Sequence, residues 1–112
     1  DAAHNAHGLN LIFEQLKQFP CRKKHLVIGL SKERDVKVIF DILPADATYY
    51  FCKANLPRAM AIESLDAEAA KRNLPYQTFP SVKAAMEAAI SAAGPDDLVY
   101  IGGSIFVVGE AI

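Results

Sequence analysis

The stretch His25–Cys52, HLVIGLSKERDVKVIFDILPADATYYFC, sets two short apolar runs on either side of one helical repeat. His25–Leu30 (HLVIGL), closed by Ser31, reads as a buried strand. Val36, Ile39, Phe40 and Leu43 recur at i, i+3, i+4 and i+7, the spacing of one helix face. Asp35 stands at the N-cap position and Pro44 just past the end. Ala47–Cys52 (ATYYFC), rich in aromatic and β-branched residues, reads as a second strand. Because successive strand side chains alternate, Tyr49, Tyr50 and Phe51 point to both faces and read as core rather than as a stacking platform. Two strands separated by a helix pair in parallel, since a crossover of this length cannot be a hairpin.

The same alternation extends outward. Leu9, Ile12, Phe13 and Leu16 mark a helix of about Gly8 to Gln18, stopped by Pro20. After a loop carrying Pro57, Ile62, Leu65, Ala69 and Ala70 support a third helix ending near Asn73, with Pro75 behind it. Tyr76–Phe79 is a very short strand. Ser81 caps a fourth helix with an apolar stripe of Val82, Ala85, Met86, Ala89, Ile90 and Ala93, and Gly94-Pro95 stop it. Leu98–Ile101 is the last strong strand, followed by Gly102-Gly103-Ser104 and a tail read as a helix from near Ser104. This order predicts an α/β fold: a doubly wound, mostly parallel Rossmann-like sheet with helices on both faces. Residues 1–112 form a single domain with no linker or repeat. A helix that opens such a fold normally follows a strand, so a strand is expected before Asp1, and the chain is read as part of a longer one.

Composition narrows the function classes. Apolar residues make up 52% of the 112 and charged residues 22%, a globular balance with enough chain to form a core unaided. Twelve Lys and Arg against thirteen Asp and Glu give a net charge of −1, without the positive field of a dedicated nucleic-acid binder. No apolar run approaches the ~20 residues of a membrane span, and no signal peptide opens the chain. Cys21 and Cys52 stand alone, so the default setting is reducing and cytoplasmic.

In open α/β sheets ligands bind at the carboxyl ends of strands and at helix N-termini. Three segments fall there: Asp1–Gly8, Ser31–Asp35 and Gly102–Ser104. His4 and His7 are three apart but lack further ligands, and no metal site is assigned. The Gly-Gly-Ser turn suits an anion or is a plain strand-to-helix turn. Neither GxGxxG nor GxxxxGK[ST] occurs, and Ser104 has no base in a GxSxG elbow. A response-regulator receiver, the nearest competitor, needs an acidic pair, an Asp after its third strand and a Lys after its fifth; the chain meets none of these tests.

The opening Asp1-Ala2-Ala3-His4-Asn5-Ala6-His7-Gly8 resembles the DGAHNPHG-type motif that begins the carboxy-terminal domain of folylpolyglutamate and dihydrofolate synthases, a branch of the Mur ligase superfamily. Leu26–Leu30 with Arg34-Asp35 looks like the family's strand and basic-Asp pair. Pro57-Arg58-Ala59 is similar to its PRG element, and Gly103-Ser104-Ile105-Phe106 to its terminal GS-x-[FY]. Ala2 and Ala6 depart from the usual Gly and Pro. The absence of Tyr at position 2 and Ile105-Phe106 after Ser104 favour the folate branch over the cell-wall ligases, which stay as the alternative beside a non-catalytic Rossmann-like binding domain.

The resemblance implies the Mur ligase carboxy-terminal fold and a part in an ATP- and Mg²⁺-dependent ligase. That ligase phosphorylates a folate or dihydropteroate carboxylate and lets the amine of glutamate attack the acyl phosphate. The P-loop and magnesium ligands belong to an amino-terminal ATPase domain, the expected partner, so the isolated domain is expected to be inactive. By motif, Asp1 contacts ATP at the ribose, His4 faces the phosphates and glutamate, and Ser104 and Arg58 serve glutamate. Each has a structural reading beside it: Asp1 as a turn cap, His4 fixing its loop, Ser104 as an N-cap, Arg58 folded on the domain body. Arg34 and Asp35 read as structural, Asp35 being the N-cap.

Overall fold

A computed structural model describes residues 6–103, with side chains from residue 10 onward. Four helices and four strands alternate: α1 (Ala6–Leu16), β1 (Lys24–Ile28), α2 (Val36–Asp41), β2 (Ala47–Phe51), α3 (Ile62–Lys71), β3 (Tyr76–Thr78), α4 (Val82–Ala92) and β4 (Leu98–Gly102). The strands form one parallel sheet in the order β3-β2-β1-β4. The expected α/β doubly wound architecture is therefore present. The expected strand before Asp1 and the tail helix from Ser104 lie outside the described residues.

The winding follows from handedness. From β1 the chain steps through α2 to β2 and through α3 to β3, always outward; α4 then carries it back past β2 and β1 to β4. Right-handed crossovers in opposite directions place their helices on opposite faces. Accordingly Leu26, Ile28, Tyr49 and Phe51 face a core with Phe13, Leu16, Ile39, Phe40 and Leu65 from α1, α2 and α3. Val27, Tyr50 and Cys52 face Val82, Ala85 and Ala89 of α4. Tyr49 and Phe51 stack at 5.4 Å between centroids on the first face, with Tyr50 turned to the other, as the strand alternation requires.

The helix ends show local chemistry at work. The Asp35 carboxylate accepts from the backbone N–H groups of Lys37 and Val38 at 3.0 and 3.4 Å, and Ser81 Oγ accepts from that of Ala84 at 3.1 Å. Helix α2 closes before Pro44, with Ile42 and Leu43 bonded three residues back in a tightened turn. Helix α3 ends two residues before Asn73, which takes φ +56. Leu74 N–H donates to Ala69 O and Asn73 N–H to Ala70 O, a Schellman closure in which Asn tolerates the left-handed backbone.

Two apolar stripes differ from the reading of the sequence. On α4 only Val82, Ala85 and Ala89 are fully buried, while Ile90 is 57% exposed. The helix approaches the sheet on its alanines, and Ile90 lies a further ~100° round the axis from Ala89. On α3, Ala70 is exposed and Glu68 takes the buried place, its carboxylate held by Arg72 Nε at 2.9 Å.

Candidate functional site at the carboxyl edge of the sheet

Strand order reverses at β1, whose neighbours are β2 on one side and β4 on the other. The crevice outside the carboxyl ends of strands at such a reversal is where open α/β sheets take ligands. The segments that meet there follow directly on β1 and β4.

Gly29 N–H donates to Gly102 O at 3.3 Å, extending the β1–β4 pairing past Ile28 and bringing the two loops together. Gly103 follows with φ +96, a conformation open mainly to glycine. A Cβ on Gly103 would lie 2.5 Å from Gly29 O and 3.3 Å from Leu30 Cδ2, so the turn has no room for any side chain. The Gly-Gly turn is thus a tight, buried corner that delivers the chain to position 104. Ser104 itself, with Asp1 and His4, lies outside the described residues.

The other two loops of this edge are zipped together. Ser31 and Ala59 form an antiparallel bridge, Lys32 N–H donates to Arg58 O at 2.7 Å and Met60 N–H to Leu30 O at 2.8 Å. The backbone of the Pro57–Ala59 element therefore folds on the β1–α2 loop. Its Arg58 side chain nevertheless stays out, 61% exposed, 3.9 Å from the Glu33 carboxylate. Of the candidate residues, Arg58 is the one the described structure places, and it stands on the same edge as the Gly103 turn. Beyond it, Lys53–Pro57 with Pro80 and Ser81 line an open groove of about 540 Å³, which no motif in the sequence signalled.

Among the described residues no group of three or more His, Cys, Asp or Glu could hold a metal ion. Cys21 and Cys52 form no disulfide, and Cys52, buried just after β2, donates through Sγ to Ile28 O at 3.7 Å. No described helix is long and apolar enough to cross a membrane.

The amino edge carries a second polar constellation that residue spacing could not show. His25, 1% exposed, bonds Tyr50 Oη through Nδ1 and Asp97 Oδ2 through Nε2, both at 2.9 Å. Asp97 also accepts from Gly94 N–H at 3.0 Å and from Arg22 at 3.1 Å. The backbone donor of Gly94, then His25, then the charge of Arg22 hold the Asp97 carboxyl below the usual carboxylate range. Burial raises the Tyr50 phenol, with the Asp97 charge adding to it. This cluster sits at the far end of the strands from the crevice.

Comparison with known proteins adds the following. The family model described as "Mur ligase, glutamate ligase domain" matches residues 1–105. A Haloferax volcanii protein described as "Probable bifunctional folylpolyglutamate synthase/dihydropteroate synthase" is 34% identical over 112 residues, 99% of this chain and 13% of its own length. A UDP-N-acetylmuramoyl-L-alanyl-D-glutamate–2,6-diaminopimelate ligase from Caldanaerobacter subterraneus subsp. tengcongensis is 26% identical, over 92% of this chain and 23% of its own. Among solved structures, Mycobacterium tuberculosis folylpolyglutamate synthase complexed with ADP and AMPPCP aligns at TM-score 0.86 and 29% identity, over 99% of this chain and 28% of that one. Escherichia coli FolC in complex with ADP aligns at TM-score 0.84 and 26% identity, over 96% of this chain and 26% of that one. The chain thus spans about a quarter or less of the length of each of these relatives.

Proposed function

Because the chain belongs to the Mur ligase glutamate-ligase-domain family, we propose that it is the carboxy-terminal domain of an ATP-dependent ligase that adds glutamate to folate or dihydropteroate. The observation that carries the reading is the family match over residues 1–105 together with two folylpolyglutamate synthase-type structures that superpose on nearly the whole chain. The 34% identical relative supports the folate branch; the cell-wall alternative rests on a relative at 26%.

In this reading the partner is an amino-terminal ATPase domain, and the carboxyl edge closes over ATP and glutamate. That these relatives were solved with ADP and with AMPPCP supports a nucleotide as a ligand of the whole protein. Asp1 holds the ribose, since a carboxylate accepts from two hydroxyls. His4 donates to phosphate or to the glutamate carboxylate. Ser104, delivered by the Gly103 corner, offers a hydroxyl and a backbone N–H, and Arg58 supplies a cation on the same edge. These groups position and stabilise the reactants of an acyl-phosphate reaction; none is a general base. The Mg²⁺ ligands are assigned to the partner domain, as the family resemblance implies. Two cysteines that form no disulfide suit a reducing cytoplasm.

The test is ATP turnover by the full-length protein with dihydropteroate or a reduced folate as acceptor. Turnover that requires glutamate is the expected result. Turnover that requires diaminopimelate and a UDP-muramoyl peptide instead would move the chain to the cell-wall branch.

A further inference from the structure

Strand side chains alternate between faces, so Tyr100 and Gly102 of β4 share one, the face that α1 covers. Tyr100 packs on that core, its ring edge-to-face with Phe13 at 6.3 Å between centroids. A Cβ on Gly102 would run into the Tyr100 hydroxyl and lie 2.6 Å from Cζ and 2.8 Å from Cε2. The phenol therefore leans forward along the strand and fills the place that a side chain at position 102 would take. Its hydroxyl comes to rest over the last residue of β4, at the carboxyl edge, one residue short of the Gly103 corner.

Packing alone does not call for a hydroxyl at this point, because a phenylalanine ring would make the same contacts with Phe13 and Gly102. The other three tyrosines each spend theirs inside the fold: Tyr49 on Pro44 O, Tyr50 on His25 and Tyr76 on Asp66. Tyr100 makes no such bond among the described residues, and its oxygen, unlike Asp97 Oδ1, is not sealed from solvent. Burial of the ring raises the phenol above its ordinary value, so the group meets a ligand as a neutral O–H donor. Such a donor serves an anionic oxygen best, since a charged acceptor makes the bond about twice as strong.

On the ligase reading above, the incoming glutamate brings two carboxylates to this edge. Arg58 stands on the loop after β2, with β1 between it and β4, and supplies one cation there. Ser104 follows Gly102 by two residues. We propose that Tyr100 is a further specificity-determining residue of that reaction, its hydroxyl donating to a carboxylate of the incoming glutamate beside Ser104. Gly102 is part of the same device, because any side chain there would push the phenol off the edge.

Calorimetric titration of the full-length protein, first with AMPPNP and then with glutamate in its presence, compares Tyr100→Phe with the wild type. The substitution keeps the ring and its packing, so the melting temperature is expected to stay where it was. Glutamate is expected to bind about tenfold more weakly, the loss of one hydrogen bond to a charged group, while AMPPNP changes by less than about twofold. Glutamate affinity that ignores the substitution overturns the proposal and leaves the ligase reading standing. An equal loss for AMPPNP overturns it too, because the ring would then be merely structural, and a loss confined to AMPPNP would make the hydroxyl a nucleotide contact instead. Wild-type protein that takes AMPPNP but no glutamate defeats the ligase reading, and the proposal with it.

Discussion

The imidazole Nε2 of His25 lies 2.9 Å from Oδ2 of Asp97, joining the first residues of β1 to the residue before β4 through side chains 1% and 0% exposed. Tyr50 bonds the other ring nitrogen, so one buried ring ties β1, β2 and the start of β4 together. The β1–β4 pairing it anchors ends, five residues on, at Gly102 and the candidate site.

Tyr50→Phe removes the hydroxyl and leaves a buried ring nitrogen without its partner. The expected loss is about 1–3 kcal/mol of unfolding free energy in a urea titration. A value near zero would mean that solvent reaches the ring.

The Asp97 carboxyl titrates below its unfolded value, so its contribution to stability is present above about pH 4 and is lost as pH falls through the lower, folded value. Thermal melts from pH 7 down to pH 2 are expected to show an acid-side decline that Asp97→Asn flattens, with a lower Tm at pH 7. An unchanged acid limb would assign the decline to other carboxylates.

Gly103→Ala places a methyl group against Gly29 O in a left-handed backbone. The expected destabilisation exceeds the ~1–2 kcal/mol of the conformation alone, read by denaturant unfolding. On the proposed ligase reading, the same change in the full-length protein is expected to depress turnover.

Helix α4 sits close to the sheet because Ala85 and Ala89 are small and fully buried. Ala85→Leu is expected to cost about 1–3 kcal/mol by overpacking. Ile90→Lys, on the exposed side of the same helix, is expected to change stability by less than ~0.5 kcal/mol.

Asp1→Ala in the full-length protein is expected to raise the KM for ATP several-fold with a smaller effect on kcat, measured by steady-state kinetics. The 112-residue chain alone is expected to show no glutamate-dependent ATP turnover.

The elements were legible because their signals are local. The i, i+3, i+4 spacing of α2, its Asp35 cap and the alternation of Tyr49, Tyr50 and Phe51 each depend on a few consecutive residues, and the structure reproduces them. Alternating helices and strands with no hairpin signal likewise determined a parallel, doubly wound sheet. The candidate residues Asp1, His4, Arg58 and Ser104 came from motif resemblance, and of these only Arg58 lies among the described residues. Tertiary structure decided what depends on contacts between distant segments. The order β3-β2-β1-β4, the pairing of His25 with Asp97 72 positions away, and the zip of Ser31 to Ala59 belong to this class. So does the burial of Arg34 Nε. Periodicity states which face of an element is apolar but not which element covers it. Helix α4 makes the difference plain: six apolar positions stood out along its sequence, and three became fully buried once the alanines set its distance from the sheet.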